Sequence, residues 1–459
     1  MTARMIGSGH ARALTLSLTF AVLTAAAQTV RLPPGTPDAR GPGNTGTDIE
    51  AACKQLQPGG WRPAEGSYYA PIVETPRPAQ AQPLIDPVYR ACVVRISAHD
   101  QDPVRGFARN DYSRRQAFNA DDSRVIVVSN DGYWHLYDPK RATYVKQLHG
   151  IGGDAEPQWH AKNPDLLYFF PNNGVGMKLL ELNVKTDAVR TVADFASRIQ
   201  PLWPRAMTAW TKSEGSPSAN QRYWAFMVDS DKWQGLGLFV YDLQEDKIVG
   251  TYDLAKNGKD RPDHVSMSPS GEFIVVSFLD SVVAFKRDFS QPRVLQKKSE
   301  HSDLALLANG HDAYVAIDYE RSGGPVFMID LQTGDKTTLF DTYIDRTATA
   351  VHFSGRAFDK PGWVLMSTYG DYSNRGGSDP KWLHRKIFAV QLQANPRIVH
   401  LAAHHSYPNE YFTEPHASVN RSFTRVMFNS NWGTKSKNDI DAFMLVLPPE
   451  LLSATAAKK

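Results

Sequence analysis

The chain repeats one pattern of polar and apolar positions: a polar residue, a short alternating strand, a tight polar turn and a β-branched strand. It is clearest at residues 264–271, HVSMSPSG, which are followed by FIVVS at residues 273–277. The same pattern occurs at residues 115–122, before VIVVS at 125–129, and at residues 414–430, EPHASVNRSFTRVMFNS. Alternation between turn residues is typical of short β-strands, so repeats at this scale determine the predicted fold.

The tight turn recurs in seven units. In chain order it lies at Asn119, residues 160–165, residues 216–218, Ser268, residues 307–310, the residues after 351–354, and Asn420. Several units add a second strand that ends in aspartate, at residues 134–138, 238–242 and 326–330. Seven units of roughly 40 to 60 residues, with three or four short strands each, predict an all-β, seven-bladed β-propeller. A solenoid built from the same repeats is the structural alternative.

A propeller has to close into a ring, and the two ends of the repeat region offer strands for this closure. Residues 442–447 form the last predicted strand. Residues 88–97, VYRACVVRIS, alternate like a strand that completes the final blade beside it. We therefore predict a propeller over residues 88–448 and a C-terminal tail over residues 449–459.

The N-terminus has the three parts of a secretory signal peptide. Arg4 and Arg12 supply the positive charge, residues 14–23 the apolar core, and residues 25–27 the small residues before a cleavage site. About ten apolar residues are too few to span a bilayer, although a membrane anchor is the alternative, and no later apolar run is long enough for a transmembrane helix. Residues 1–27 are therefore predicted to be removed from a periplasmic or secreted protein.

Residues 28–87 form a Pro/Gly-rich linker and extension before the repeats. Residues 29–47 have almost no apolar periodicity and are predicted to be disordered, whereas residues 49–56 are predicted to form a short helix. Cys53 and Cys92 are the two cysteines of the chain. In an exported protein they predict one disulfide, which would staple the extension to the strand that completes the final blade.

Composition narrows the choice of partners. The chain is 42% hydrophobic and 22% charged, as in globular proteins. Its net charge of +3 and the absence of a long basic run argue against a nucleic-acid partner.

Polar residues recur at one position of the repeat. The first strand of each blade lines the central channel of a propeller, so the residue four positions before each turn lies near one channel mouth. These positions hold Arg115, Glu156, Lys212, His264, Asp303 and His416, with His352 in the less regular sixth unit. Converging histidines and carboxylates in one concave site indicate an active site. The alternative is a channel that is merely polar and wet.

Metal binding is the first chemistry that this ring offers. His352, Glu414 and His416 come from the last two units and combine imidazole with carboxylate, which suits a divalent metal such as Mn, Zn or Ca. His404 and His405, on the preceding loop, either join this cluster or face solvent.

General-base catalysis is the second chemistry that this ring of polar residues offers. His264 and His301, from adjacent units, titrate near neutrality and can accept a proton. Arg115 or Lys212 would neutralise the carboxylate of an acidic substrate. The loop that leads to the metal-ligand segment supplies the other predicted substrate contacts, Tyr407, Tyr411 and Phe412.

The repeats, with turns such as SPSG, resemble the TolB-type propeller pattern. The segment EPHASVNRSFTRVMFNS more narrowly resembles the oligogalacturonate lyases, seven-bladed propellers in which an H-x-H-P-S-F segment precedes a D-x-x-x-V-L-F-T-S strand and supplies metal ligands. In this resemblance His416 matches the second histidine, and Glu414 stands in place of the first. Tyr411 stands in place of a glutamine ligand, and His352 matches the remaining histidine ligand.

The resemblance implies β-elimination on a uronic acid. A metal neutralises the substrate carboxylate, which acidifies the C5 proton, and a histidine removes that proton. His264 or His301 is our predicted base, with Arg115 as the charge stabiliser. An acidic oligo- or polysaccharide would be the partner.

Two other functions fit the same platform. One is a non-catalytic, TolB-like periplasmic propeller that binds a ligand or a partner protein. The other is a hydrolase, which would need paired carboxylates such as Glu156 and Glu214 facing one site.

Overall fold

The computed structural model describes residues 48–57, 60–370, 381–407 and 410–453. The predicted signal peptide, the linker up to residue 47 and residues 454–459 of the predicted tail lie outside these residues. The range Gly46–Lys459 forms one compact unit. Within the described ranges, no helix has both the length and the apolar character needed to cross a membrane.

The regular secondary structure of the described residues is almost entirely β-strand. The helices are α1, Ile49–Leu56, and α2, Ala196–Ile199, with 3₁₀ turns at Asn172–Gly174 and Tyr411–Thr413. Strands β1 to β6 are Leu84–Ile85, Cys92–Arg95, Ala108–Arg109, Val125–Ser129, Trp134–Asp138 and Thr143–Gln147. Strands β7 to β10 are Gln158–Trp159, Leu166–Phe169, Lys178–Asn183 and Ala188–Asp194. Strands β11 to β14 are Ala206–Trp210, Tyr223–Ser230, Gly235–Asp242 and Lys247–Asp253. Strands β15 to β18 are His264–Met267, Phe273–Phe278, Ser281–Lys286 and Arg293–Gln296. Strands β19 to β22 are Ser302–Leu306, Asp312–Ile317, Pro325–Asp330 and Lys336–Asp341. Strands β23 to β26 are Val351–Ser354, Trp363–Thr368, Lys386–Gln391 and Ile398–Ala403. Strands β27 to β29 are Ser418–Val419, Arg425–Ser430 and Asp441–Val446.

These strands form successive antiparallel sheets, as the repeat pattern predicts. Strands β7–β10, β11–β14, β15–β18, β19–β22 and β23–β26 each make a four-stranded sheet. The remaining strands make one nine-stranded sheet that joins the two ends of the repeat region. The all-β propeller prediction is therefore confirmed. The count of seven blades stays a prediction, because the first and last units share a sheet.

The predicted turns also hold neighbouring units together. In the turn after β15, the Ser268 hydroxyl and the Ser270 amide both donate to the carboxylate of Asp312 in the next sheet, at 2.8 Å each. The Asn420 side chain donates to Asp122 of the first unit at 2.8 Å. Because strand residues on both faces of these sheets are buried, apolar packing between sheets supplies most of the stability and the turns fix their alignment.

Ring closure occurs where the sequence predicts it. Strand β2 pairs antiparallel with β29, with Cys92 opposite Val446 and Arg95 opposite Phe443. Strand β29 also pairs with β28 and, through Asp441, makes one parallel contact with β3. A strand from the N-terminal part therefore completes the C-terminal unit.

The predicted disulfide is present between Cys53 in α1 and Cys92 in β2. The segment between them packs on the last units as well. The Trp61 indole donates to the carbonyl of Tyr89 at 2.6 Å, and Lys386 donates to the carbonyl of Tyr68 at 3.2 Å. This part of the extension is thus held by side-chain contacts together with isolated β-bridges, such as the one between Glu65 and Val399.

The turn side of the channel is crossed by Arg421. Its guanidinium donates to the carbonyl of Ala219 and to Asp359, both at 3.3 Å, and lies 5.2 Å from the centre of the Phe358 ring. The polar positions predicted at the strand starts lie at the other end of these strands, away from the turns.

Ring closure depends on the buried carboxylate of Asp441, which lies 2.6 Å from Nη2 of Arg95 and accepts the His99 amide at 2.9 Å. Removing one charge of a buried pair typically costs about 3–5 kcal/mol. We expect Asp441→Asn to lower the free energy of unfolding by about that amount in a urea titration followed by tryptophan fluorescence. Asp231→Asn, which breaks an exposed pair with Arg205, is the control and should leave the midpoint unchanged. An Asp441→Asn variant with the same free energy of unfolding as the wild type would contradict this account.

His99 should make this closure pH-dependent. A hydrogen bond to Asp441 raises the pKa of His99, against the opposing effect of burial. The pKa of His99 is therefore higher in the folded than in the unfolded protein. Its contribution to the free energy of unfolding is fully present below about pH 6.5, the unfolded-state pKa, and is lost as the pH rises through the folded-state pKa. The stability difference between wild type and His99→Gln should therefore shrink from about pH 6 to about pH 9 in parallel urea titrations. A constant difference across this range would exclude the linkage.

Candidate active site

The strand starts bring imidazoles from different units together at the end of the channel opposite the turns. His352 lies in β23 and His416 just before β27, and their ring centres are 4.4 Å apart. His301, just before β19, has its ring centre 4.9 Å from that of His352. Sequence proximity cannot produce this convergence, since the three residues come from three successive units.

Glu414 completes a cluster with two of these histidines. Its Oε2 lies 3.4 Å from Nε2 of His352 and 3.7 Å from Nε2 of His416. The contact with His352 is not aligned as a hydrogen bond, so both ring nitrogens of this buried residue lack a hydrogen-bond partner within the described part of the chain. Nε2 of His416 donates to the carbonyl of Tyr411 at 2.9 Å, which leaves the buried Nδ1 of His416 as an unpaired acceptor.

The electrostatics of the cluster fit a bound cation. Burial lowers the pKa of His416 to about 3 and that of His352 well below its usual value, so both imidazoles stay neutral. Burial raises the pKa of Glu414 to about 8, and no lysine or arginine pairs with this carboxylate among the described residues. Neutral imidazole nitrogens and an unpaired carboxylate are ligands for a divalent metal, and their ligand atoms lie within 4.8 Å of one another.

Two other clusters of histidine and carboxylate side chains are already paired with lysine or arginine residues. Asp263 and His264 lie beside Glu214, where Lys212 contacts Asp263 at 2.8 Å and Arg114 contacts Glu214 at 3.3 Å. His99, Asp439 and Asp441 form the other group, which the two arginines of the ring closure, Arg77 and Arg95, neutralise. The His352–Glu414–His416 cluster is therefore the best metal candidate in the described structure.

The two predicted bases have different surroundings. Arg114, an obligate donor, hydrogen-bonds Nε2 of His264, and Ser277 lies 3.0 Å from the same nitrogen. The lone pair of His264 is therefore occupied. Neither ring nitrogen of half-buried His301 has a hydrogen-bond partner in the described residues, and burial lowers the pKa of His301 to about 4. His301 is thus a neutral imidazole with an available acceptor.

Arg114 was missed by the sequence analysis, which selected its neighbour. Arg115 is buried against Asp111 and donates to the carbonyl of Ser213 at 2.6 Å. Arg114 instead reaches His264 and Glu214. Both arginines lie in a turn that precedes the β-bridge between Phe118 and Val125. The alternation of side-chain directions along a strand does not extend into a turn, so the repeat pattern cannot predict which of the two arginines faces the site.

Lys212 and Glu156 have supporting roles in the loop at residues 211–213. Glu156 accepts the Ser213 amide at 2.7 Å, and the backbone of Lys212 and Ser213 has positive φ, 61° and 73°. This loop directs Lys212 towards Asp263. Because the Glu156 carboxylate anchors the loop, and Glu214 pairs with Arg114, the two do not form a free acid pair of the kind a glycoside hydrolase needs.

Of the three aromatic residues predicted to contact the substrate, two lie beside the cluster and one does not. Tyr411 is 53% exposed, and its ring centre lies 4.8 Å from that of His416. Phe412 is its neighbour on the rim and packs on Phe107 at 5.1 Å. Tyr407 instead lies under Lys435, at 5.2 Å, and its amide donates to Asn431.

Two tyrosines that the sequence pattern does not single out contact the cluster. The ring centre of Tyr369 lies 4.6 Å from that of His352, and that of Tyr112 lies 5.2 Å from that of His416. His404 and His405 are elsewhere: His404 bonds the carbonyl of Thr368 at 2.8 Å and His405 stacks on Trp432.

A cleft of about 390 Å³ opens beside the histidine cluster. Its lining includes Tyr112 and Tyr411, which contact His416, and Glu214, which lies beside His264. Arg109 and Phe412 line it as well. Its size lies within the range of small-molecule sites, roughly 300–1,000 Å³.

Comparison with known proteins identifies the fold. The structure is similar to that of an oligogalacturonate lyase in complex with manganese, at 13% identity and a TM-score of 0.56, covering 81% of this chain and 96% of that one. It is also similar to an oligogalacturonate lyase from Vibrio parahaemolyticus, at 12% identity and a TM-score of 0.55, covering 80% and 96%. The chain folds as a β-propeller of this kind. No family model matches the sequence, and no curated protein matches it.

The histidine cluster should bind one divalent metal ion. We expect Mn²⁺ to stabilise the wild type by about 2.7 kcal/mol at a hundredfold excess over its dissociation constant, because the ion binds the folded state. His352→Ala and His416→Ala should lose both the stabilisation and the metal content measured by elemental analysis. His311→Ala, which removes a surface histidine paired with Asp330, is the control and should retain both. Equal metal content in all four proteins would contradict the assignment.

Proposed function

We propose that the protein is a metal-dependent lyase that cleaves a uronic-acid-containing glycan by β-elimination. The observation that carries the proposal is the buried His352–Glu414–His416 cluster with its unpaired ring nitrogens, next to the available imidazole of His301. The similar solved structures are oligogalacturonate lyases, one of them with manganese, and this supports the choice of metal and substrate class.

The reaction removes the C5 proton and breaks the C4–O4 bond, with the electron pair of the C5–H bond forming a C4=C5 double bond. When bound by His352, Glu414 and His416, the metal would neutralise the uronate carboxylate and so make the C5 proton more acidic. His301 is neutral at physiological pH and its ring nitrogens are unpaired, so it is the base in this proposal. His264 is the weaker candidate, since Arg114 occupies its lone pair.

The leaving oxygen needs a proton, and Tyr112 is the acid that the cleft offers. Burial raises the pKa of Tyr112 well above its usual value, so its hydroxyl stays protonated at neutral pH. Its ring lies against both His352 and His416. Arg114, beside His264 and Glu214, supplies positive charge near the carbanion-like transition state.

The remaining parts of the proposal concern the substrate and the compartment. Tyr411 and Phe412 are exposed at the rim beside His416 and would contact sugar rings. The predicted signal peptide would direct the protein to the periplasm or outside the cell, and the Cys53–Cys92 disulfide fits an oxidising compartment. An acidic oligo- or polysaccharide is therefore the proposed substrate.

The test is an assay of the purified mature protein, loaded with Mn²⁺, on a panel of uronic-acid oligomers, with the ultraviolet absorbance of the unsaturated product as the readout. We expect turnover on at least one uronide. His301→Gln should lower kcat by about 10²- to 10⁴-fold with little change in KM, because it removes the base and keeps the polar contact.

The controls distinguish a lyase from a propeller that binds uronides without cleaving them. His311→Gln should leave kcat unchanged, since this residue lies on the surface beside Asp330. Uronide binding without an unsaturated product would instead favour the non-catalytic, TolB-like propeller. An unchanged kcat in His301→Gln would exclude this residue as the base.

A further inference from the structure

We infer that the cleft beside the histidine cluster is a second sugar subsite, in which Arg109 binds the carboxylate of a neighbouring uronate. The inference rests on the proposed function for the identity of the ligand. The binding of a carboxylate at Arg109, however, can be measured without any turnover.

Arg109 is a buried guanidinium without a carboxylate partner. It is 8% exposed, and its Nη1 donates to the carbonyls of Asn110 and Asp111, at 2.9 Å and 2.5 Å. Nε has no hydrogen-bond partner, and no carboxylate lies within ion-pair distance of this side chain in the part of the chain that the structure describes. An unpaired charge is costly to bury, so a site that retains one at the wall of a cleft is suited to an anionic ligand.

The acidic groups of the same cleft are already engaged by other residues. Asp111 pairs with Arg115. Asp154 accepts a hydrogen bond from the Ser213 hydroxyl, and burial raises the pKa of Asp154. Glu214, as described above, pairs with Arg114 at 3.3 Å. Arg109 is therefore the one lysine or arginine among the described residues that line the cleft, and it forms no ion pair with these carboxylates.

The position of Arg109 fits the sugar next to the one that reacts. Its guanidinium lies 4.4 Å from the ring centre of Phe412, which belongs to the same rim as Tyr411 and thus leads to His416. Tyr112 borders both the cleft and the cluster. An acidic oligomer that reaches the cluster through this cleft would place one carboxylate at the cluster and the next near Arg109.

The experiment compares charged and neutral forms of one probe. Trigalacturonate, oligomannuronate and oligoguluronate are titrated by calorimetry against the full-length mature protein carrying His301→Gln, so that binding is measured without turnover. Their methyl esters are titrated in parallel. Adding Arg109→Gln should weaken binding of the acid by about 10- to 100-fold, the usual range for a charge-assisted hydrogen bond, and should leave ester binding unchanged. Arg109→Lys should retain part of the affinity, because it keeps the charge and loses the planar fork.

Arg105→Gln is the matched control, since Arg105 lies in the same segment but its side chain is 88% exposed. It should leave both affinities unchanged. Unaltered Mn²⁺ content and melting temperature in Arg109→Gln would show that the Asn110–Asp111 turn and the cluster are intact. An equal loss for acid and ester would overturn the inference, because it indicates a merely structural arginine, and so would a failure of every uronide to bind.

The outcomes also separate this inference from the proposed function. If the acid binds through Arg109 but the wild type forms no unsaturated product, the subsite stands and the lyase proposal fails. If the wild type cleaves uronides and Arg109→Gln changes neither KM nor acid binding, the lyase stands and the subsite fails.

Discussion

The structure depends on a strand pairing that joins the two ends of the chain. Strand β2 completes the sheet of β27–β29, and the buried Asp441 carboxylate locks this seam through Arg95 and the His99 amide. The Cys53–Cys92 disulfide attaches α1 to the same strand. A closed ring has no free edge at this point, so each unit has a fixed position relative to its neighbours. That constraint allows histidine rings from three separate units to meet, with centres 4.9 Å apart for His301 and His352 and 4.4 Å apart for His352 and His416.

Burial then determines the chemistry at the meeting point. Because charged forms are disfavoured away from water, His301, His352 and His416 are neutral, and Glu414 titrates near the physiological range. A cluster of this kind has ligands but lacks positive charge. Arg109 is buried as well, and its guanidinium forms no ion pair with a carboxylate among the described residues. Among the described residues, the cluster therefore offers ligands for a cation, and Arg109 offers a guanidinium for an anion.

The sequence predicted the elements better than the directions of individual side chains. Alternation and turn residues located strands such as Val125–Ser129 and Trp134–Asp138 to the residue, because both properties are local. The meeting of His352 and His416 was also predictable, since a repeat position maps onto one place in the ring, and Glu414 lies two residues before His416. Arg114 and Tyr112 were not, because they lie in an irregular segment where no period applies. Tyr407 and Tyr411 are close in sequence, but only tertiary contacts separate the one under Lys435 from the one beside His416.

The glutamate in the ligand set bears on how the site would treat its substrate. In the oligogalacturonate lyase pattern that this segment resembles, a histidine stands at the position of Glu414. If Glu414 is a metal ligand, it is anionic when it coordinates the ion, whereas a histidine would be neutral. A divalent ion held by two imidazoles and one carboxylate retains a single net positive charge, which weakens its attraction for a uronate. In the proposed reaction, positive charge from protein side chains would compensate for this weaker attraction. Arg114, near the proposed base, and Arg109, in the cleft, are buried guanidinium groups in positions to do so.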